Sequence, residues 1–187
     1  MSKFGIIHLL KLTIEMNGGI FMKEGISFAQ VETSIIMEPR HCNPSGNIHG
    51  GEMMKIMDNV AGIVAVKHAK GNVVTARVDE TIFHIPVHVG DIVTCIGELA
   101  YVGTTSMQIF VSVLVNDIKG QNKSKIALTA FFTMVHLDED GKPAKVPQLT
   151  PITPDEEALY LLGKKKYEES LNMLFLPKVL KYISNYH

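Results

Sequence analysis

GEMMKIMDNVAGIVAVKHA, residues 51–69, decides the reading of this chain. The stretch holds no proline and is long enough for about five turns at ~3.6 residues per turn. Met53, Met54, Ile56, Met57, Val60, Ala61, Ile63, Val64, Ala65 and Val66 put apolar groups on nearly every face. A helix that is hydrophobic all round is a buried helix, so this segment is expected inside the fold. Strand-like runs flank it, each rich in β-branched and aromatic residues. AQVETSIIM (29–37) precedes the helix; VVTARVDETIF (73–83), DIVTCIGELAYV (91–102), TSMQIFVSVLVND (105–117) and KIALTAFFTMVHLD (125–138) follow it. Gly90-Asp91, Gly103-Thr104 and Lys119-Gly120 mark the turns. One buried helix and long strands predict an α+β fold, with antiparallel meander strands wrapped around the helix. Such a sheet has a second face and edges to protect, so dimerisation is expected.

Composition bounds the rest. Over 187 residues, 46% are hydrophobic and 20% charged, which fits a globular domain with tails and excludes a disordered chain. Lys plus Arg is 18 against 19 Asp plus Glu, so the basic excess of a general nucleic-acid binder is missing. Cys42 and Cys95 are far apart and lack a CxxC partner. This excludes a disulfide framework and a Cys-rich zinc site, and fits the reducing cytoplasm. His41, His49, His84 and His88 form no metal-ligand spacing, and Pro86 separates the last two, so no metal is expected.

The ends read as additions. MSKFGIIHLLKLTIEM is broken by His8 and Lys11, is too short to span a membrane and lacks a small-residue cleavage site. Asn17-Gly18-Gly19-Ile20-Phe21 directly precedes Met22, and two Gly codons can spell a ribosome-binding sequence. Translation is therefore expected to start at Met22, leaving 1–21 as an upstream extension. At the other end, prolines punctuate GKPAKVPQLTPITP (141–154), an extended connector. A helical pattern follows, with Asp155, Glu156 and Glu157 at its start, Lys164 to Lys166 further on, and Gly163 as its weak point. The expected division is 1–21, a core at 22–150, and a C-terminal helical tail at 151–187.

Asp58 is the residue most in need of explanation. A carboxylate in an apolar helix must be paired or neutralised, and a structural Asp bonded to a neighbour such as Lys55 is the bland reading. The loop before the helix ends at Gly50-Gly51, where glycine admits a ligand close to the backbone. The free amides and positive dipole of a helix N-terminus can hold a developing oxyanion. Asp58 lies about 10 Å along the axis from Gly51, at ~1.5 Å per residue. If the two act on one carbonyl, the natural arrangement is a two-fold dimer in which Gly51 of one subunit meets Asp58 of the other. His49, next to the glycine pair, reads as a loop-shaping hydrogen-bonder or a substrate-positioning group. Cys42 has no base partner and reads as an inert thiol.

Asn43-Pro-Ser-Gly-Asn-Ile-His49-Gly50-Gly51, then Met57-Asp58, resembles the hotdog-fold acyl-CoA thioesterases, closest to the bacterial acyl-CoA hydrolases related to the brain-type cytosolic enzyme. The resemblance continues through Val74-Thr75, Phe83, Pro86, Val89-Gly90-Asp91, Gly103-Thr104-Thr105-Ser106 and DEDGKPAKVP (138–147), covering about residues 29–150 in order. It implies a hotdog domain hydrolysing acyl-CoA, with Asp58 and Asn43 catalytic and Asp58 acting either as general base or as nucleophile. The Gly51 amide, with Gly50, would polarise the thioester carbonyl. It also implies an oligomer, a dimer or a trimer of dimers (a hexamer), with no cofactor beyond the CoA of the substrate. Gly103, Thr104, Thr105 and Ser106 would lie near the CoA chain. Arg77, Lys123, Lys125, Lys142 and Lys145 are candidates for its phosphates. Two other readings compete. Some hotdog domains are non-catalytic acyl-CoA sensors attached to a DNA-binding helix-turn-helix, for which residues 1–28 are too short and Gly-rich. The dehydratase reading rests on Phe83-His84-Ile85-Pro86, which follows a strand instead of preceding the central helix.

Overall fold

A computed structural model describes residues 29–116 and 124–174. The expected start at Met22, the Lys119-Gly120 turn, Lys123 and residues 175–187 lie outside the described residues. Five strands form one antiparallel sheet: β1 (Val31–Ile36), β2 (Asn72–Phe83), β3 (Ile92–Val102), β4 (Ser106–Asn116) and β5 (Lys125–Leu137). Helix α1 (Gly50–Ala69) follows β1 after a short 3-10 turn at Pro39–His41, and helix α2 (Pro154–Leu174) ends the described chain.

The strand order is β1-β3-β4-β5-β2, which corrects the simple meander. Only β3, β4 and β5 follow one another as hairpins. Helix α1 crosses the sheet and delivers β2 to the far edge beside β5, because a helix lying on the sheet separates the strands it connects. The helix packs on one face, against rows of side chains fixed by strand register. Gly97, Val111 and Ala130 form one row, Cys95, Val113 and Leu128 another, and Leu99, Ile109 and Phe132 a third. Nearly all of these side chains are fully buried.

Gly97 is where helix and sheet come closest. A Cβ there would sit 2.7 Å from Val60 Cγ1 and 3.0 Å from Val64 Cγ2. Gly97→Ala is therefore expected to lower stability by about 1–3 kcal/mol through overpacking, read as a lower urea midpoint.

The all-round burial expected of α1 is not what the chain provides. Met53, Met57, Val60, Ala61, Val64 and Ala65 are buried, but Lys55, Asn59, Ile63 and Val66 form an exposed stripe. Ile63 is 50% and Val66 46% exposed. One sheet covers one side of a helix, so the second apolar side is left for another surface.

Strand β2 has the same property. It runs for 12 residues at the sheet edge without one buried residue, and Val74, Val78, Ile82 and Phe83 are exposed. A long apolar edge strand is a template for pairing.

Helix α2 packs on the opposite face, on β3. It is unbroken through Gly163, which the sequence marked as its weak point. The physical reason is contact: a Cβ on Gly163 would lie 2.7 Å from Ala100 Cβ, so glycine lets the helix touch the strand. Ala100 is the extra residue of a bulge between Leu99 and Tyr101. Tyr101 stacks on Tyr160 and Tyr167 with centroids 5.2 Å apart in each pair. Lys166 bridges Glu80 of β2 and Glu169. Glu156 accepts from the amides of Ile152 and Thr153 at 2.7 and 3.2 Å, fixing the helix start. Among the described residues no helix is long and apolar enough to cross a membrane.

Candidate active site

The loop before α1 is built around Asn43. Its Oδ1 accepts from the amides of Ser45 and Asn47 at 2.9 and 3.2 Å, and Gly46 turns at φ +82°. Because the oxygen is spent on backbone donors, the side chain is left with its NH2 group to offer a ligand. Asn43, Gly50, Met53, Phe83 and Leu128 share a cavity of about 390 Å³.

His49 caps the helix. Its Nδ1 accepts from the Gly51 amide at 2.8 Å. The Gly51 N–H is thus engaged by its own cap, since a capping side chain satisfies the orphan donor that a ligand would otherwise use. Gly50, at the first helical position, lines the cavity, and its N–H has no hydrogen-bond partner among the described residues.

Asp58 is half-buried and not enclosed by apolar neighbours. The cause is the exposed stripe beside it, and its partner is a strand hydroxyl, not Lys55: Thr75 Oγ1 donates to Asp58 Oδ1 at 2.6 Å. Thr75 belongs to the resemblance segment, but linear spacing gave it no role. The available signal was the two-residue link Lys70-Gly71, which makes α1 and β2 antiparallel neighbours.

Both ends of the candidate site thus touch β2. A Cβ on Gly50 would lie 3.2 Å from the Phe83 ring at one end of the strand, and Asp58 bonds Thr75 toward the other. Gly50 and Asp58 are separated by about 12 Å along the helix at ~1.5 Å per residue. One chain does not bring them together.

The residues expected at CoA are also divided. Gly103, Thr104, Thr105 and Ser106 form the β3–β4 turn, closed by Gly103 N–H to Ser106 O at 2.8 Å. The carbonyls of Thr104 and Thr105 accept from Val146 and His136, and Tyr167 lies over Gly103. Lys125 begins β5, opposite Val115, at the other end of β4 from Ser106. A hairpin places its two turns a strand length apart, so Lys125 and this turn are not neighbours within the chain. Arg77 is held by Asp79 at 2.6 Å on β2. Lys142 is exposed and pairs with Asp140 at 3.8 Å. Lys145 is exposed and adjoins Val146, which puts it nearest the turn.

Cys42 is half-buried and Cys95 wholly buried. Burial pushes the Cys95 thiol up to about 12. It should resist a thiol reagent at neutral pH until the protein unfolds; labelling followed by peptide mass analysis reads this. His84 bonds Thr129 Oγ1 at 3.0 Å, and among the described residues no group of three or more potential ligands could hold a metal.

Comparison with known proteins adds to this geometry. Residues 45–119 match the family described as the thioesterase superfamily. The cytosolic acyl coenzyme A thioester hydrolase of Rattus norvegicus is 40% identical over 143 residues, 76% of this chain and 38% of that protein. The chain thus spans well under half of the length of that relative. A solved apo-hexameric acyl-CoA thioesterase is 32% identical, with a TM-score of 0.76, over 81% of this chain and 97% of that one. The acyl-CoA hydrolase of Staphylococcus aureus, solved with butyryl coenzyme A and coenzyme A, has a TM-score of 0.79 and 29% identity over 85% of this chain and 97% of that one. That hydrolase has also been solved with alanine replacing an asparagine, an aspartate and a threonine, at successive intervals of 15 and 17 residues. Asn43, Asp58 and Thr75 stand at the same intervals.

Proposed function

The chain belongs to the thioesterase superfamily and has its hotdog fold, and on that premise we propose that it hydrolyses acyl-CoA to a free acid and CoA at a site shared between two subunits. One observation carries the reading: through the two halves of the candidate site, α1 touches two separated points of β2, the edge strand whose outer side has no partner strand among the described residues. Antiparallel pairing of β2 with its copy, about a two-fold axis near Asp79, sets Phe83 of one subunit opposite Thr75 of the other. Asp58 of the partner subunit then lies beside Gly50 and Asn43. The exposed Val74, Val78 and Ile82, and Ile63 and Val66 on α1, support burial of this face.

In the proposed reaction the thioester carbonyl points at the Gly50 amide, and the Gly51 amide joins once the carbonyl displaces His49 Nδ1. Asn43 donates its NH2 group to the carbonyl or orients the water. As general base, Asp58 takes a proton from water; the water oxygen bonds to the carbonyl carbon, the C–S bond breaks, and the proton passes to the CoA sulfur. As nucleophile, Asp58 bonds to the same carbon, expels CoA and is freed by water. Thr75 holds the carboxylate in place in either case. The CoA chain runs past Gly103 to Ser106, with Lys145 placed to meet a phosphate more readily than Lys125 or Arg77.

The reaction needs no cofactor or metal. The protein works in the cytoplasm as a dimer at least, and as a trimer of dimers, from a hotdog core at 22–150 with a helical tail at 151–187. Thiol release from a panel of acyl-CoAs tests the function. Release at any chain length supports it; binding without release would turn the reading to a sensor.

A further inference from the structure

We infer that Phe83 is the specificity-determining residue for the acyl chain, narrowing the cavity beside Gly50 so that it takes short to medium acyl groups; this rests on the thioesterase reading above. The cavity, about 390 Å³, lies in the range of small-ligand pockets. Its floor is Ile48, Met53, Val87 and Leu128, all buried and apolar. A thioester held by its carbonyl at Gly50 has two arms. The pantetheine arm carries amides that need hydrogen-bond partners, whereas the acyl arm carries none. An apolar floor fixed by core packing fits the acyl arm.

Phe83 stands where that arm begins. Its ring lies against the Gly50 backbone, at 3.2–3.3 Å from the position of an added Cβ. Across the β2–β5 ladder it is paired with Leu128 of the floor, so the ring is a wall running from the reacting end to the bottom of the pocket. It is also 56% exposed. The core does not depend on it, and its truncation changes the shape of the pocket more than the stability of the fold.

The test is kcat/KM for thiol release along a series of saturated acyl-CoAs of increasing length. Phe83→Ala should raise the long-to-short ratio by about tenfold or more, since apolar pockets discriminate single methylenes by about that factor. Phe83→Trp should lower the ratio, and inhibition by free CoA should not change in either variant. An unchanged ratio overturns the inference. A uniform rise in KM with weaker inhibition by free CoA also overturns it, assigning the cavity to the pantetheine arm. Phe83→Leu, checked for the same oligomer size and melting temperature, carries the test if the alanine variant assembles poorly. Absence of thiol release by the unmodified protein with every acyl-CoA would instead sink the thioesterase reading on which this one stands.

Discussion

Asp58→Asn is expected to leave a folded protein that releases thiol at least about 10²–10⁴-fold more slowly, the range associated with removing a positioned acid–base group. Asn keeps the size of the side chain and can still accept from Thr75 Oγ1, now 2.6 Å from the carboxylate. Packing and circular dichroism should therefore not change. What disappears is the charge that takes a proton or attacks the carbonyl. Thr75→Val separates positioning from chemistry. It removes one hydrogen bond to a charged group, worth about 1.5–3 kcal/mol, so the loss should be roughly 10- to 150-fold. A purified Asp58→Asn protein with full activity would end the assignment, whichever of the two mechanisms operates.

The second large effect is recovery of activity from two inactive parents. Asn43→Ala and Asp58→Asn should each be nearly dead alone. In a mixed dimer, one composite site combines both lesions and the other combines neither, because a two-fold interface takes Asn43 from one subunit and Asp58 from the other. With random subunit exchange, half of the dimers are mixed and half of their sites are intact. About a quarter of wild-type activity should return on co-refolding. A site contained in one chain would give no recovery. The reason to expect the shared site is geometric: Gly50 meets Phe83 and Asp58 meets Thr75 on one strand, and the two contacts are about eight residues apart along α1, some 12 Å at ~1.5 Å per residue.

Much of this was legible in the linear chain, and for local reasons. Strand ends fell within a residue or two of the observed ones, because β-branched runs bounded by Gly-Asp and Gly-Thr turns carry their own signal. The start of α1 was announced by Gly50-Gly51, and the Asn43-to-Gly51 loop by its Pro, Gly and Asn content. Gly163 misled, because a glycine that weakens an isolated helix is also the residue that allows a helix to touch a strand. The capping of Gly51 by His49 was hidden for a related reason. Sequence places a histidine beside a helix start but does not say where its ring turns. The place of Lys125 depended on which hairpin end it occupied relative to Gly103, a matter of pairing and not of composition.

The sequence by itself determined the elements, their order and the presence of a carboxylate on an apolar helix, since these follow from periodicity and residue chemistry over short spans. Tertiary structure alone decided that β2 lies at the far edge beside β5, that no residue of it is buried, and that Thr75 holds Asp58. Those facts depend on contacts between residues distant in the chain, and on one sheet being able to cover only one side of a helix. Ile63 and Val66, which helped make α1 look apolar all round, lie on the side that the folded chain leaves exposed.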